Sequence, residues 1–269
     1  VKNLIHKLIL TFMSRTLYIH IGLHKTGSTS IQLFLDKNRE VLLKHGVLYP
    51  EVPRKFKINY QHRFLITLIR NNNKKEFLDF FKNNLEKSEN ILISSECFLE
   101  EERFINWFGE LRNIFEQINI IAYVRRQDDW IESLYNHSVR FHPNKPTLNI
   151  NDFINNMLSE NTLWWYSLDW YNVLNNWEKA FTNENMIIKS YDAVAYYKKS
   201  LIRDFMSIIG FSNLDNFYVQ KNMKINSKVD NRNVIEYYRI SNKFYEKEKQ
   251  EELKQIIEEH FETDTNPFL

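Results

Sequence analysis

The sequence predicts an α/β protein built on a doubly wound, mainly parallel β-sheet with helices on its faces. Short apolar runs rich in β-branched residues alternate with stretches whose apolar residues recur at helical spacing. A loop rich in glycine and hydroxyl side chains follows the first apolar run, as is typical of a strand-loop-helix unit. Because such alternation places helices between parallel strands, we expect both faces of the sheet to be covered.

Four apolar runs predict the strands, at residues 16–21 (TLYIHI), 90–95 (NILISS), 119–124 (NIIAYV) and 185–191 (NMIIKSY). Helices are predicted where apolar residues recur from Ile31 to Leu42, from Phe77 to Leu85 and from Phe104 to Phe115. The lysine- and glutamate-rich residues 229–262 predict one or two solvated amphipathic helices. We therefore expect residues 16–269 to form one domain with a helical C-terminal part, preceded by an N-terminal extension at 1–15.

Composition narrows the classes of partner. The chain has 36 basic and 34 acidic residues, a formal net charge of +2, which indicates no general attraction to nucleic acid. The single cysteine, Cys97, excludes an internal disulfide and a zinc site built on cysteines, and is typical of a reducing cytoplasm. The apolar run at residues 4–12 is too short to span a bilayer. We expect a cytoplasmic protein with no bound metal, no nucleic-acid partner and no stable membrane span.

The stretch HIGLHKTGSTSIQ, residues 20–32, concentrates groups that bind anions. Gly22 and Gly27 allow the backbone to approach a ligand closely, and Lys25 adds a positive charge. In a strand-loop-helix unit the backbone amides and the positive end of the helix converge on one point. The loop therefore predicts a phosphate site, with a turn that binds no ligand as the structural alternative. Further hydroxyl donors come from Thr26, Ser28, Thr29 and Ser30.

The order of residues separates this loop from that of nucleotide triphosphatases. In G-x-x-x-x-G-K-[ST] the lysine follows the second glycine, whereas here Lys25 precedes Gly27 and Ser28 follows it. The order KTGST instead resembles the 5'-phosphosulfate loop of the sulfotransferases, which use 3'-phosphoadenosine 5'-phosphosulfate (PAPS). The whole stretch is similar to the bacterial and Golgi carbohydrate branch of that family. This resemblance implies a P-loop-type fold, PAPS bound by residues 25–30, and a glycan or glycan precursor as acceptor.

A second candidate anion site follows the third predicted strand. Arg125 ends the run NIIAYV, and Ser133 lies eight residues later on a predicted helix that Asp128 or Asp129 can cap. An arginine at a strand end and a serine two helical turns later can face the same crevice. The 3'-phosphate motif of sulfotransferases has this form, so the resemblance implies that Arg125 and Ser133 hold the 3'-phosphate of PAPS. Solvated surface residues are the structural alternative.

Glu96 is the candidate catalytic base. The resemblance implies a glutamate or histidine near the end of a central strand, and Glu96 follows the run ILISS. A carboxylate with an ordinary pKa of about 4.3 is ionised at neutral pH and can accept a proton. His24, within the loop, is the second candidate, and Lys25 can stabilise charge on the leaving phosphate. The structural alternatives are that Glu96 caps the helix beginning near Glu100 or pairs with a neighbouring base.

A P-loop kinase that uses ATP and magnesium is the alternative function. It would use one phosphate site and a carboxylate at a strand end to hold the metal. Glu96 follows a strand in the required way, whereas the run NIIAYV ends in Arg125. Activity with PAPS in the presence of EDTA would separate the two functions.

Overall fold

The computed structural model describes residues 14–56, 60–99, 103–141, 148–159, 169–181, 186–196, 200–218, 232–244, 248–249, 252–253 and 256. Residues 1–13 of the predicted N-terminal extension lie outside this part. The chain divides into two compact units, one formed by residues 1–124 and 169–221 and the other by 125–168 and 222–269. A single domain over residues 16–269 stays a prediction.

The first unit is built on a five-stranded parallel sheet. Its strands are β1 (Thr16–His20), β2 (Val47–Leu48), β3 (Asn90–Ser94), β4 (Gln117–Val124) and β5 (Met186–Ser190). They lie in the order β2-β3-β1-β4-β5, and every neighbouring pair is parallel. The four predicted strands are confirmed. Strand β2 was not predicted, because two residues are too few to show a periodicity.

Helices account for most of the remaining described residues. In chain order they are α1 (Ser28–Lys37), α2 (Arg39–Lys44), α3 (Phe64–Arg70), α4 (Lys74–Leu85), α5 (Arg103–Glu110), α6 (Gln127–Phe141), α7 (Ile150–Leu158), α8 (Trp170–Phe181), α9 (Tyr191–Tyr196), α10 (Leu201–Ile208) and α11 (Arg232–Phe244). Short 3-10 helices cover Glu96–Leu99 and Leu111–Asn113. None of the helices in the described part of the chain is both long and apolar enough to cross a membrane.

The run predicted as one helix from Ile31 to Leu42 is interrupted at Asn38. The side-chain amide of Asn38 donates hydrogen bonds to the carbonyls of Phe34 and Tyr218, at 2.8 and 3.0 Å, and its oxygen accepts one from the Tyr218 amide at 2.7 Å. An asparagine that bonds to nearby backbone groups competes with helical hydrogen bonding. The apolar periodicity continues into α2, but the helix does not.

Apolar clusters cover both faces of the sheet, so the doubly wound α/β fold is confirmed. One cluster contains residues of α3, α4, α5 and α8, and the other contains residues of α1, α2 and α10. Adjacent residues of β4 alternate between them, with Ile120 in the first cluster and Ile121 in the second. Because side chains alternate along a strand, β4 is buried on both faces.

The second unit contains α6, α7 and α11. The Tyr135 hydroxyl of α6 donates to the carbonyl of Leu148, at 3.0 Å, and the Tyr135 ring contacts Phe153 of α7. The Asn242 amide of α11 donates to the carbonyl of Val139 at 2.8 Å. The predicted helix after β4 is therefore present, but it begins at Gln127. Its two aspartates lie in the first turn rather than before the helix, which corrects the expected capping position.

The order of strands in the first unit determines where its loops meet. β1 is central, with β3 on one side and β4 on the other. The carboxyl ends of parallel strands lie at one edge of a sheet, which is the usual position of ligands in open α/β folds. The loop after β1 and the residues after β3 are consequently neighbours at that edge.

Candidate functional site

The loop between β1 and α1 has a left-handed backbone at two positions. The φ angle is 63° at Lys25 and 78° at Gly27. A left-handed lysine is uncommon because its Cβ is crowded, and such residues cluster at functional sites. The carbonyl of Gly27 accepts hydrogen bonds from the amides of Ser30 and Ile31, at 3.0 and 3.2 Å. The chain therefore passes directly from the loop into α1.

Among the described residues, no side chain caps the N-terminus of α1. Side chains cap α4, α7, α8 and α10, namely those of Asn73, Asn149, Asp169 and Ser200. At α1 the capping position is Gly27, and the first turn contains no acidic residue. The first amides of a helix have no intrahelical acceptor and attract anions. The start of α1 is therefore suited to a bound anion.

Both glycines of the loop lie where a larger residue would not fit. A Cβ on Gly27 would lie 2.4 Å from Cδ2 of Leu201. A Cβ on Gly22 would lie 2.4 Å from the Ser28 hydroxyl oxygen and 2.9 Å from Nε2 of His20. The tight loop thus depends on two residues without side chains, Gly22 for packing alone and Gly27 for both packing and its left-handed backbone.

Two of the predicted phosphate-binding hydroxyls are used inside the loop. The hydroxyls of Thr26 and Ser28 both donate to the carbonyl of Leu23, at 2.6 and 3.2 Å, and both side chains are buried. Thr29 and Ser30, in the first turn of α1, are partly exposed. The loop therefore holds its own shape, and phosphate binding by the four hydroxyls and Lys25 stays a prediction.

His24 and Glu96 form a hydrogen-bonded pair next to the loop. Nδ1 of His24 lies 2.7 Å from Oε2 of Glu96, and the side chains are 23% and 17% exposed. Burial would raise the pKa of Glu96. The hydrogen bond from His24 and the charges of His24, Lys25 and His20 together hold that pKa below its ordinary value. Glu96 is thus a carboxylate at neutral pH, and it accepts the hydrogen bond that His24 donates from Nδ1.

The pair joins two residues that the sequence analysis proposed separately as bases. His24 comes from the loop after β1, and Glu96 begins the 3-10 helix after β3. The parallel pairing of β1 with β3 continues beyond the strands, because the amide of Ser95 donates to the carbonyl of His20 at 3.1 Å. Two candidate bases are therefore held in contact beside a candidate anion site.

A buried polar network beneath the loop was not predicted from the sequence. The Ser94 hydroxyl lies 2.8 Å from Nδ1 of His20 and accepts a hydrogen bond from the Gln32 amide at 3.1 Å. The Ser94 amide donates to Nδ1 of His62 at 3.2 Å. All four side chains are buried. The only signal in the sequence was the presence of polar residues at strand ends and on the apolar side of a helix.

Burial keeps both histidines of this network neutral. Burial lowers the pKa of His20 to about 4, although the nearby charge of Glu96 raises it in part. Burial and the charge of Arg39 lower the pKa of His62 to about 3, against the effect of its backbone hydrogen bonds. At neutral pH each ring therefore carries one proton and can both donate and accept.

The two arginines after β4 differ in their surroundings. Arg125 is partly buried, as is Ser133 of α6. Arg126 is exposed and pairs with Asp128, its Nε donating to the carboxylate at 3.2 Å. The surface-pair alternative thus describes Arg126. Binding of a phosphate by Arg125 together with Ser133 stays a prediction.

No family model matches this chain. It is 31% identical over 123 residues to an uncharacterized protein of Archaeoglobus fulgidus. The match covers 45% of this chain and 30% of that protein, so the chain spans less than a third of the length of that relative.

The structure is similar to solved structures of sulfotransferases. Against a sulfotransferase from Alicyclobacillus acidocaldarius the TM-score is 0.49 at 14% identity, with 95% of this chain and 99% of that chain covered. Against mouse sulfotransferase SULT7A1 complexed with PAP the TM-score is 0.40 at 13% identity, with 93% of this chain and 85% of that chain covered. Against the sulfotransferase domain from the curacin biosynthetic pathway the TM-score is 0.40 at 9% identity, with 78% of this chain and 76% of that chain covered. All three TM-scores lie below 0.5, so these similarities do not establish a function for this chain.

Proposed function

We propose that this protein is a PAPS-dependent sulfotransferase that transfers a sulfuryl group to a hydroxyl, or an amine, of a glycan or glycan precursor. The observation that carries the proposal is the position of the His24–Glu96 pair beside an anion-accepting loop at the edge of one sheet. Sulfuryl transfer needs an anion site for the donor and a base for the proton of the acceptor. The loop supplies the first and the pair supplies the second.

The donor is held at its two ends. The amides at the start of α1, Lys25 and the hydroxyls of Thr29 and Ser30 bind the 5'-phosphosulfate. Thr26 and Ser28, whose hydroxyls donate to Leu23, hold the loop around it. Lys25 also stabilises the negative charge that builds up on the bridging oxygen as the bond from sulfur to that oxygen breaks. Arg125 and Ser133 bind the 3'-phosphate, a role that the resemblance of the sequence implies. The product is adenosine 3',5'-bisphosphate (PAP).

The base is the His24–Glu96 pair. The acceptor oxygen attacks sulfur and forms a new S–O bond while its proton passes to the pair. Because Glu96 accepts the hydrogen bond from Nδ1 of His24, a neutral His24 takes the proton at Nε2, and the carboxylate stabilises the resulting imidazolium. The sequence favoured Glu96 as the base and His24 as the second candidate, whereas the proposed base is His24 and Glu96 orients it.

The same pair argues against the kinase alternative. A magnesium-dependent kinase would need the carboxylate of Glu96 to hold the metal. In the structure an oxygen of that carboxylate accepts a hydrogen bond from His24 at 2.7 Å, and the carboxylate is largely buried.

The acceptor class is proposed only because the loop resembles the carbohydrate-directed branch of the sulfotransferases.

Calorimetric titration with PAP and with ADP tests the donor site. We expect at least about tenfold tighter binding of PAP, since a charge-assisted phosphate contact contributes roughly 1.5–3 kcal/mol. Arg125→Gln should remove this preference. Arg126→Gln is the matched control and should retain it, because Arg126 pairs with Asp128 on the surface. Equal affinity of the unaltered protein for PAP and ADP would contradict the proposal.

Turnover of PAPS with a panel of sugar acceptors, in buffer that contains EDTA, tests the chemistry. We expect His24→Asn to lower kcat by about 100-fold or more, the typical contribution of a general base. Glu96→Gln keeps a hydrogen-bond acceptor for Nδ1 but removes the charge, so its loss of kcat should be smaller, with PAP affinity unchanged. Transfer from ATP that stops when EDTA is added would instead establish the kinase.

A further inference from the structure

Ser94, the last residue of β3, is the centre of the buried network and lies two residues before Glu96. Its backbone and its hydroxyl both have partners. The His62 amide donates to the Ser94 carbonyl at 2.8 Å, and the Ser94 amide donates to Nδ1 of His62 at 3.2 Å. Ser94 itself is fully buried. These contacts attach the end of β3 to a segment outside the sheet.

The protons of His62 can be assigned from its contacts. Nδ1 accepts from the Ser94 amide, so it carries no proton. Nε2 lies 3.0 Å from the carbonyl oxygen of Pro50 and therefore donates to it. Neutral His62 is thus fully hydrogen-bonded, and Ser94 is held in one place.

The protons of His20 follow from the Ser94 hydroxyl. Of the two recorded partners of this hydroxyl, Gln32 is a donor. We expect the hydroxyl proton to point to Nδ1 of His20, the other partner, at 2.8 Å, which places the His20 proton on Nε2. The imidazole packs against Phe205 at a ring distance of 5.1 Å, and its Nε2 has no hydrogen-bond partner among the described residues.

The hydroxyl of Ser94 thereby joins three elements that carry the candidate site. His20 ends β1, just before the loop, and Gln32 lies in α1, just after it. The loop itself is held by separate hydrogen bonds to the carbonyl of Leu23. Loss of the Ser94 hydroxyl should therefore leave the loop and the backbone pairing of β1 with β3 intact, but remove the side-chain contacts that fix the residues after β3 against the loop. The residue most affected is Glu96, whose contact with His24 spans the two.

We propose that Ser94 is a positioning residue that holds Glu96 in register with His24, acting through His20 and Gln32 on either side of the loop. The inference deepens the proposed function and rests on it for the consequence in turnover. It predicts that Ser94 affects the proton-accepting pair and leaves the donor site unchanged.

NMR of the histidine rings tests the network without any need for activity. In the unaltered protein we expect His20 and His62 to be protonated on Nε2, and a low-field Nδ1 proton of His24 that is hydrogen-bonded to Glu96. Ser94→Ala should abolish or broaden the His24 signal. Ser138→Ala, which alters an equally buried serine in α6, is the matched control and should preserve it. A His20 ring protonated on Nδ1, or a His24 signal that persists in Ser94→Ala, would overturn the proposal.

Kinetics give the second measurement. We expect Ser94→Ala to lower kcat by about 10- to 100-fold through misplacement of the pair, with the Kd for PAP changed less than about threefold. In a Glu96→Gln background the same substitution should have little further effect, because Ser94 acts through Glu96. Equal losses in both backgrounds would assign Ser94 a purely structural role.

Ser94→Cys keeps the size of the side chain and a weak donor, so it should lie between serine and alanine in both measurements. It also allows the test if Ser94→Ala does not fold. If the unaltered protein binds PAP but transfers nothing, the proposed function fails while the NMR result still decides the network.

Discussion

The N-termini of α1 and α6 each follow a strand of the same sheet, but they are built differently. The start of α1 has a left-handed glycine at its cap and no acidic residue in its first turn. The start of α6 has Asp128 and Asp129 in its first turn, and Arg126 pairs with Asp128. A helix dipole that faces carboxylates has less attraction left for a ligand anion. In the proposed donor site, backbone groups would therefore bind the phosphate at α1, whereas binding of a phosphate near α6 would depend on the side chains of Arg125 and Ser133.

The largest effect is expected from Gly27→Ala, which would make the start of α1 unable to close around an anion. The new Cβ combines a positive φ of 78° with a 2.4 Å approach to Leu201. We expect loss of detectable PAP binding by calorimetry, and a loss of roughly 2–4 kcal/mol in the free energy of unfolding measured with urea.

Gly46→Ala is the matched control for this substitution. Its φ is 84°, but in the described part of the chain no atom beyond its two sequence neighbours lies within 4 Å of the new Cβ. It should cost only about 1–2 kcal/mol from backbone strain and leave PAP binding unchanged. Binding by Gly27→Ala at the affinity of the unaltered protein would remove α1 as the anion site.

A second test compares how stability depends on pH in the two regions. The network beneath α1 contains two neutral buried histidines, whereas the start of α6 carries an exposed ion pair. The folded-state pKa values, about 4 for His20 and about 3 for His62, lie below the ordinary value of about 6.5. Below about pH 6.5 the unfolded chain therefore binds more protons than the folded protein, so the folded protein loses stability as the pH falls. Each ring should contribute a loss of roughly 2–3 kcal/mol by pH 4.5.

Urea unfolding at pH 7 and pH 4.5 measures this loss. His62→Gln should be less stable at pH 7 but should lose less stability on acidification, because it removes one of the two rings. An unfolding free energy that does not change between the two pH values would show that these rings are accessible to protons in the folded state.

The smallest effect is expected at the start of α6. Asp128→Asn removes a negative charge from an exposed first turn, so it should tighten PAP binding by up to about threefold at low salt. The gain should disappear at high ionic strength, since exposed charges are screened. Asp215→Asn alters another exposed aspartate and serves as the control. A gain of more than tenfold would mean that the helix dipole of α6 contributes to the phosphate site after all.

Local patterns were sufficient to predict the strands and the position of the loop. The apolar runs at β1, β3 and β4 are continuous because these strands are buried on both faces, which is a property visible in the sequence. Strand β5, at the edge of the sheet, is only partly buried. The break at Asn38 was not predictable in this way. It depends on a hydrogen bond to Tyr218, a residue remote in the sequence.

The candidate site could be predicted in its parts but not in its arrangement. Lys25, His24 and Glu96 were recognisable from residue type and from their positions after strands. The His24–Glu96 hydrogen bond and the Ser94 network were not, because they join side chains from two strands separated by more than seventy residues. His20 and Ser94 carry no local signal of a polar partner.

The sequence by itself determined the alternation of strands and helices, the glycine-containing loop after β1, and the chemical groups at the strand ends, because these depend on residues close together in the chain. Only the tertiary structure decided that β1 lies beside β3. This arrangement brings His24 into contact with Glu96, and Ser94 into contact with both His20 and Gln32. The physical reason is that strand order follows from burial of both sheet faces over the whole chain, and the contacts between strand ends follow from that order.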